Sequence, residues 1–598
     1  MADGNGRRET GSRQMTGAEM VVQALIDNGV EDIFGYPGGA VLPIYDEIFQ
    51  QETVRHILVR HEQGAGHMAE GYARSTGKCG VMLVTSGPGA TNAVTPLQDA
   101  LMDSIPLVCI SGQVPTSVIG SDAFQECDTV GVTRPCTKHN WLVRNVDELS
   151  EIMHEAFRVA STGRPGPVLV DIPKDVQFAT GTYVPPSSAK RRSSYQPALR
   201  SRADRVREAV ELLRSAKKPV IYSGGGVINS GPEASHMLRE LVELTGIPIT
   251  STLMGLGAYP ASGERWLGML GMHGTYEANM AMHDCDVMLC VGARFDDRIT
   301  GRLDAFAPHS RKIHIDIDPS SINKIVPVDV PIIGDCGHVL EDMVRILRAG
   351  AQPDRQKLKP WHEQIESWKA RNCLAYSPND EIIMPQYAIQ RLYELTKDRK
   401  TYITTEVGQH QMWAAQFYGF EEPNRWMTSG GLGTMGYGLP AAVGVAAAHP
   451  DALVIDIAGD ASVQMTMQEI STAVQYNLPV KIFIMNNHYM GMVRQWQQLL
   501  HGNRLSHSYS EALPDFVKMA EAFGATGIHC AKPDDLDEAI QQMIDTPGPV
   551  IFDCEVANLA NCFPMIPSGK AHNEMLLPDE ASDEAVATAI DREGAQLV

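Results

Sequence analysis

An α/β protein of three doubly wound parallel-sheet domains is the fold class this sequence predicts, and three observations carry it. Short apolar runs of strand length alternate with helical patterns along most of the chain, which is the rhythm of βαβ units. That rhythm breaks twice, at a polar stretch containing Pro185-Pro186-Ser187-Ser188 and Lys190-Arg191-Arg192, and at a charged stretch over 355–383. The 598 residues also exceed what a single hydrophobic core holds.

The elements follow in order. Residues 1–14 hold no apolar stretch and read as a disordered leader, neither a secretory signal nor a convincing transit peptide. The first domain, 15–180, alternates runs at 16–28, 54–59, 63–76, 79–85, 90–102, 107–111 and 168–172. A linker is expected over 181–202. The second domain, 203–350, has strands near 219–223, 248–252, 287–291 and 312–317, and a second linker covers 351–383. The third domain, 384–556, repeats the rhythm of the first, as a duplicated module would. Residues 557–598 have loop composition and read as a tail or lid ending in a helix.

Composition narrows the function. Hydrophobic content of 43% and charged content of 20% describe a globular chain. A net charge of −22 argues against a nucleic-acid surface. No apolar run approaches the roughly 20 residues that span a bilayer. Eleven scattered cysteines without a C-x-x-C pair suit reduced, buried thiols in a cytosolic protein.

The residues that point to chemistry lie at strand ends. In the third domain an apolar run, 453–457, ends in Gly459-Asp460-Ala461-Ser462, where a helical pattern begins. A second run, 480–485, ends in Asn486-Asn487. Ligands of an open α/β sheet sit beyond the carboxyl ends of its strands, so Asp460 and Asn487 are expected in one crevice. Their oxygens suit Mg²⁺, which takes few protein ligands alongside phosphate. The N–H groups of Ala461 and Ser462 would face that phosphate. The glycine-rich stretch Ser429–Gly438, with Gly433 and Met435, leads into an apolar helix and suits a planar ligand held against backbone. In the first domain, Glu62 follows a strand and opens a helix rich in Gly and Ala. It reads either as a buried acid or as a helix N-terminal residue favoured by the macrodipole. His61-Glu62 is no metalloprotease motif, because Ala65 stands where the second His would be. In the second domain, Arg294-Phe-Asp-Asp-Arg298 and Asp316-Ile-Asp318 follow strands, as a nucleotide site or as plain surface charge. No P-loop pattern occurs.

Together these residues resemble the thiamine-diphosphate (ThDP) enzymes of the pyruvate-decarboxylase-like superfamily and, more narrowly, the acetohydroxyacid synthases. The resemblance covers roughly 15–569. It rests on Tyr36-Pro-Gly-Gly-Ala40, His61-Glu62-Gln63, Thr85-Ser-Gly-Pro-Gly89, Ser111-Gly-Gln-Val-Pro115, Ala123-Phe-Gln-Glu126, Gly271-Met-His-Gly274, Arg294–Arg298, Gly408-Gln-His-Gln411, Gly491-Met-Val-Arg-Gln-Trp496 and Pro564-Met-Ile-Pro567. Ala461 departs from it, since the family has Gly there; the backbone N–H is unchanged.

The resemblance implies a pyrimidine-binding first domain, an FAD-binding central domain and a diphosphate- and Mg²⁺-binding third domain. It implies decarboxylation of pyruvate on ThDP and transfer of the two-carbon unit to pyruvate or 2-ketobutyrate, on the route to valine, leucine and isoleucine. Glu62 would hydrogen-bond the aminopyrimidine, and Met435 would bend the cofactor. Gln409, His410, Gly433, Gly459, Ala461, Ser462, Gly491 and Met492 would cradle it. Asp460, Asn487 and the Tyr489 carbonyl would hold Mg²⁺. Arg298 would take the second ketoacid's carboxylate and Trp496 would size its pocket. Gly39, Phe124, Gln125 and Lys174 would line the entrance. FAD would meet Arg164, Thr252, Met272, His273, Arg294, Asp316 and Asp335. The resemblance also implies a homodimer or tetramer with the active site at the subunit interface, a small regulatory subunit, and a bacterial cytoplasm. Another ThDP-dependent ketoacid enzyme, oxidase-like or decarboxylase, is the alternative.

Overall fold

The computed structural model describes residues 13–186, 195–350 and 354–578. Its contacts divide the chain into two compact units. One is formed by residues up to 196 apart from 75–77, the other by that short stretch and residues from 197 onward.

The first unit holds β1 (Arg13–Thr16), β2 (Asp32–Gly35), β3 (Arg55–Leu58), β4 (Gly80–Val84), β5 (Leu107–Gln113), β6 (His139–Leu142), β7 (Pro167–Pro173) and β8 (Thr180–Tyr183). Six of these make a parallel sheet in the order β3-β2-β4-β5-β7-β6. Its central strands are buried throughout, so they read as unbroken apolar runs rather than alternating ones. β1 and β8 pair antiparallel outside it. Arg13 and Gln14, expected in the leader, therefore belong to a strand, and so do residues 181–183, expected in the linker. Polar strands this short give little sequence signal, and their pairing crosses some 170 residues, with Gln14 Nε2 donating to Thr182 Oγ1 at 2.8 Å.

The second unit holds two parallel six-stranded sheets. The middle one is built from β9 (Pro219–Ser223), β10 (Ile249–Ser251), β11 (Trp266–Met269), β12 (Val287–Val291), β13 (Arg311–Asp316) and β14 (Val330–Ile333), in the order β11-β10-β9-β12-β13-β14. The last is built from β15 (Thr401–Thr405), β16 (Trp426–Met427), β17 (Leu453–Gly459), β18 (Val480–Asn486), β19 (Thr526–Cys530) and β20 (Val550–Glu555), in the order β16-β15-β17-β18-β20-β19. Three parallel-sheet α/β layers are thus present, as the alternating pattern predicts.

Two stretches expected to be irregular are ordered. The second linker contains the helix Lys359–Lys369, because Trp361, Ile365 and Trp368 form an apolar stripe at helical spacing that the charged residues around it mask. The tail is packed as far as its described residues reach: Met565, Ile566 and His572 are buried. The helix expected at its end lies outside the described residues, as do residues 1–12 of the leader.

Candidate functional site

The third sheet builds its site from loops at the carboxyl ends of β15, β17 and β18. Asp460, directly after β17, is 1% exposed. Its Oδ1 accepts the Ala461 N–H at 2.8 Å, while its buried Oδ2 has no hydrogen-bond partner among the described residues. Burial pushes the carboxyl up to about 7, against the N–H groups of Ala461 and His488 that draw it down. A cation at Oδ2 would restore the charged form. Asn487 follows β18; its Oδ1 accepts the Tyr489 N–H at 3.0 Å. Asn486 Nδ2 donates to Asp553 Oδ1 at 3.0 Å, which anchors the end of β18 to β20. His488 takes the left-handed conformation, φ 62°, and turns the chain so that Tyr489 bridges Tyr509.

The helical pattern expected from Ser462 forms in pieces. Val463–Met465 and Met467–Glu469 are 3₁₀ turns, and the α-helix is only Ile470–Gln475. Thr466 leaves helical geometry at φ −134°, and its methyl packs where a Cβ on Gly436 would lie 3.1 Å away. Ser462 spends its hydroxyl on this turn, accepting from the Gly459 N–H at 3.1 Å.

Across from Asp460, Gln409 opens the helix Gln409–Phe417 and donates through Nε2 to Gln495 Oε1 at 2.7 Å and to the Ala560 carbonyl at 3.0 Å. Its Oε1 has no partner among the described residues. A Cβ on Gly491 would stand 2.1 Å from that oxygen and 3.0 Å from Asn487 Nδ2, so Gln409, Asn487 and Gly491 share one cradle. His410, buried and held neutral by desolvation with its pKa lowered to about 4, packs against Gly459. Met492 lies in the first turn of the helix Gly491–Leu500. The loop with Met435 is shaped by Ser429, whose Oγ accepts the N–H groups of Gly433 and Thr434 at 2.9 Å each. Met435 itself is half-buried. An orphaned carboxylate oxygen, a neighbouring carboxamide and a cradle that any side chain at 491 would fill are what a divalent cation with a phosphate ligand requires.

In the first unit, Glu62 is the first residue of the helix Glu62–Thr76, directly after β3. It is half-buried, and its Oε2 accepts from Asn92 Nδ2 at 2.9 Å. Gly66, one turn on, lets Pro96 of the helix Val94–Asp103 reach the backbone: an added Cβ would lie 2.3 Å from it. Two glycine loops gather here. Gly38 packs on Thr85, Gly89 faces Glu62 Oε1, and Gly87 abuts the Gln125 carbonyl. Gly39 is open, with nothing within 4 Å of its Cβ position. Gln125 adopts φ 61°, and Phe124 beside it is 89% exposed. Lys174 begins the short helix Lys174–Phe178, which Gln177 ties to the Ala40 carbonyl at 2.7 Å.

The middle sheet contributes Arg294, half-buried and 3.3 Å from Asp296, and Arg298, 54% exposed beside Asp297. Asp316 ends β13 and accepts the Asp318 N–H at 2.8 Å. Thr252 and Asp335 cap the following turns: Thr252 Oγ1 accepts the Gly255 N–H, and Asp335 accepts from His338 N and Ser230 Oγ. Arg164 belongs to the first unit, where it donates to Ser104 Oγ at 2.8 Å. Met272, Trp496, Phe563 and Leu576 pack around Met565 and Leu499. The Met272 N–H donates to the Arg298 carbonyl at 2.9 Å, and the Met272 carbonyl accepts the Ile566 N–H at 2.8 Å. His273 reaches the Pro564 carbonyl at 3.3 Å. The tail thus brings the Arg298 segment and Trp496 to one place.

Several residues that build this site carry no motif in sequence. Glu406 receives the N–H groups of Gly436 at 2.5 Å and Leu439 at 3.1 Å. Arg494, fully buried, donates to Gln498, Asn561 and the Ala560 carbonyl and so staples the tail to the Gly491–Leu500 helix. Only the position of Glu406 just after a strand could have drawn attention to it.

Three family models match the chain in order: the thiamine pyrophosphate enzyme N-terminal TPP binding domain over residues 15–132, the central domain over 206–343, and the C-terminal TPP binding domain over 406–554. The acetolactate synthase isozyme 3 large subunit of Escherichia coli is 50% identical over 570 residues, covering 94% of this chain and 98% of that protein. The acetolactate synthase large subunit of Haemophilus influenzae is 49% identical over 568 residues with the same coverage. That of Mycobacterium tuberculosis is 47% identical over 569 residues, 94% of this chain and 91% of the relative.

Proposed function

The chain belongs to the thiamine pyrophosphate enzymes and, within them, to the acetolactate synthase large subunits, and from that premise we propose how its own residues run the carboligation. The substrates are pyruvate as donor and pyruvate or 2-ketobutyrate as acceptor. ThDP supplies a carbon nucleophile and an electron sink when bound.

Asp460, Asn487 and the Tyr489 carbonyl would hold Mg²⁺, which would neutralise the charge of the diphosphate. The observation that carries this is the buried, unpartnered Asp460 Oδ2 beside the cradle of Gln409, Asn487 and Gly491. Gln409, His410 and the N–H groups around Gly459, Ala461 and Ser462 orient the phosphates. Met435 would support the cofactor, and the open position at Gly433 and the absence of a side chain at Gly491 would leave it room. Glu62 holds a proton at the aminopyrimidine ring nitrogen, with Asn92 fixing its other oxygen. Arg298, on an exposed turn, binds the acceptor's carboxylate. Trp496 walls the acceptor pocket, and Gly39, Phe124, Gln125 and Lys174 border the entrance.

FAD is assigned to the middle sheet, whose order β11-β10-β9-β12-β13-β14 is the classic dinucleotide arrangement with its switch point between β9 and β12. Arg294, Asp316, Thr252, Met272, His273 and Asp335 lie around loops at the carboxyl ends of that sheet's strands. Arg164 is assigned to the same cofactor on the family resemblance. The working form is a homodimer or tetramer with a small regulatory subunit, in a bacterial cytoplasm. Among the described residues no helix is long and apolar enough to cross a membrane.

The test is colorimetric acetolactate formation from pyruvate, with ThDP, Mg²⁺ and FAD added singly and together. Product that requires ThDP and Mg²⁺ supports the assignment. Acetaldehyde or acetyl phosphate instead of acetolactate would move the chain to the decarboxylase or oxidase reading.

A further inference from the structure

Two buried carboxylates stand under the Met435 loop, on neighbouring strands of the third sheet, and neither belongs to the groups assigned above. Glu406 directly follows β15, and Asp456 lies in β17 paired with Thr404. Both are 0% exposed. Their surroundings differ. Glu406 faces the start of the helix Gly438–Ala448, which is buried from Gly438 through Ala447, so its first N–H groups need partners from within the protein. It receives Gly436 N–H on one oxygen and Leu439 N–H on the other. These two N–H groups flank the turn that follows Met435. Among the described residues Asp456 meets only the Thr404 hydroxyl, 3.2 Å from Oδ1 and shared with the Gly438 carbonyl at 2.9 Å, and its Oδ2 has no hydrogen-bond partner. A Cβ on Gly438 would stand 2.2 Å from Asp456 Oδ1 and 2.6 Å from the Glu406 backbone nitrogen, so the Asp456 carboxyl and the Glu406 backbone close on the same residue.

Two full charges this close in a dry interior repel each other and lose their hydration. Only Glu406 has backbone donors and a helix N-terminus to compensate a charge. We propose that Glu406 is a positioning residue for the cofactor, the charged acceptor that clamps the Met435 loop, and that Asp456 is its protonated neighbour with no part in holding the loop. Burial raises both groups, Glu406 to about 7 and Asp456 well above the usual carboxylate range, with the Glu406 charge adding to the latter. The inference rests on the reading that Met435 supports ThDP. It adds that the loop is set in place before the cofactor arrives.

The pair makes an asymmetric prediction. Glu406→Gln puts an amide NH₂ toward backbone N–H groups. It should raise the ThDP concentration for half-maximal activity by about tenfold or more, with kcat at saturating ThDP changed far less. Amide hydrogen exchange over residues 433–440, followed in the protein without ThDP, should speed up in the same variant. Asp456→Asn replaces a neutral acid by a neutral amide, and both readouts should stay within about twofold of the parent. Glu406→Asp, charged but one methylene short, should fall between and serves where Glu406→Gln folds poorly. The reverse order, Asp456→Asn damaging and Glu406→Gln silent, would put the charge on Asp456 and overturn the assignment. Equal damage from both, or none from either, would overturn it as well. A parent protein whose activity ignores ThDP would count against the cofactor reading alone, because exchange without ThDP still reports on the pair.

Discussion

The first and third sheets share one wiring and differ in the chemistry at their strand ends. Numbered each from its own first strand, both run 2-1-3-4-6-5, whereas the middle sheet runs 3-2-1-4-5-6. In the first, the loops after β2, β3 and β4 present a half-buried carboxylate with one amide donor, among glycines. In the third, the loops after β15, β17 and β18 present buried oxygens and N–H groups, the donor set proposed above for a cation and phosphates. Identical topology fixes where a ligand can sit, at the carboxyl edge, while the few residues that end each strand decide what is held there.

The comparison can be broken by exchanging those residues. The largest effect is expected from Glu62→Gln, which should cut acetolactate turnover by about 10²–10⁴-fold while leaving the ThDP requirement nearly unchanged. A variant that mainly raised the ThDP requirement would give the first sheet a binding task like that of the third. Asp460→Asn should do the opposite: roughly a hundredfold more Mg²⁺ for half-maximal activity, with kcat largely restored at high metal.

Glycines sharpen the contrast at the level of stability. Gly438→Ala should lower stability by about 1–3 kcal/mol in chemical denaturation, because its Cβ meets Asp456 and backbone atoms of Thr405 and Glu406. Gly39→Ala, in open space, should leave stability unchanged and alter only kinetics. Trp496→Leu should shift the ratio of 2-ketobutyrate to pyruvate use by about tenfold, read by competition between the two acceptors, since one methylene decides little more.

The smallest effect concerns the tail. His572 is buried against the Ile299 carbonyl at 2.7 Å, and desolvation lowers its pKa from 6.5 to about 4. Between those values the unfolded chain binds a proton that the folded one refuses, so this contribution to stability is present above pH 6.5 and lost as pH falls towards 4. Protease clipping of residues 557–578 should rise on acidification through that window, and His572→Asn should flatten the rise. Asp171, whose carboxyl burial lifts to about 7, acts in the opposite sense, favouring the folded state as pH falls from about 7. A rise in clipping that the His572 variant leaves intact would assign the acid response to another group.

Much of the site was legible because it is local. Strand, turn and helix start are contiguous, so Gly459-Asp460, Asn486-Asn487 and Glu62 announce strand ends on their own. The three-layer rhythm is equally local, since a strand buried on both faces must be apolar throughout. The helix Lys359–Lys369 went unseen because its stripe of Trp361, Ile365 and Trp368 is set among charges. The sequence by itself thus determined the order of the βα units and which loops carry polar groups, through periodicities of two and 3.6 residues that any segment displays alone. Only the tertiary structure decided that Glu406 clamps a helix start thirty residues later, that Asp456 lies beside it, and that Arg494 holds the tail at Ala560 and Asn561. Those contacts join groups distant in the chain, where the need to satisfy buried N–H groups and charges selects the partner and leaves no period to read.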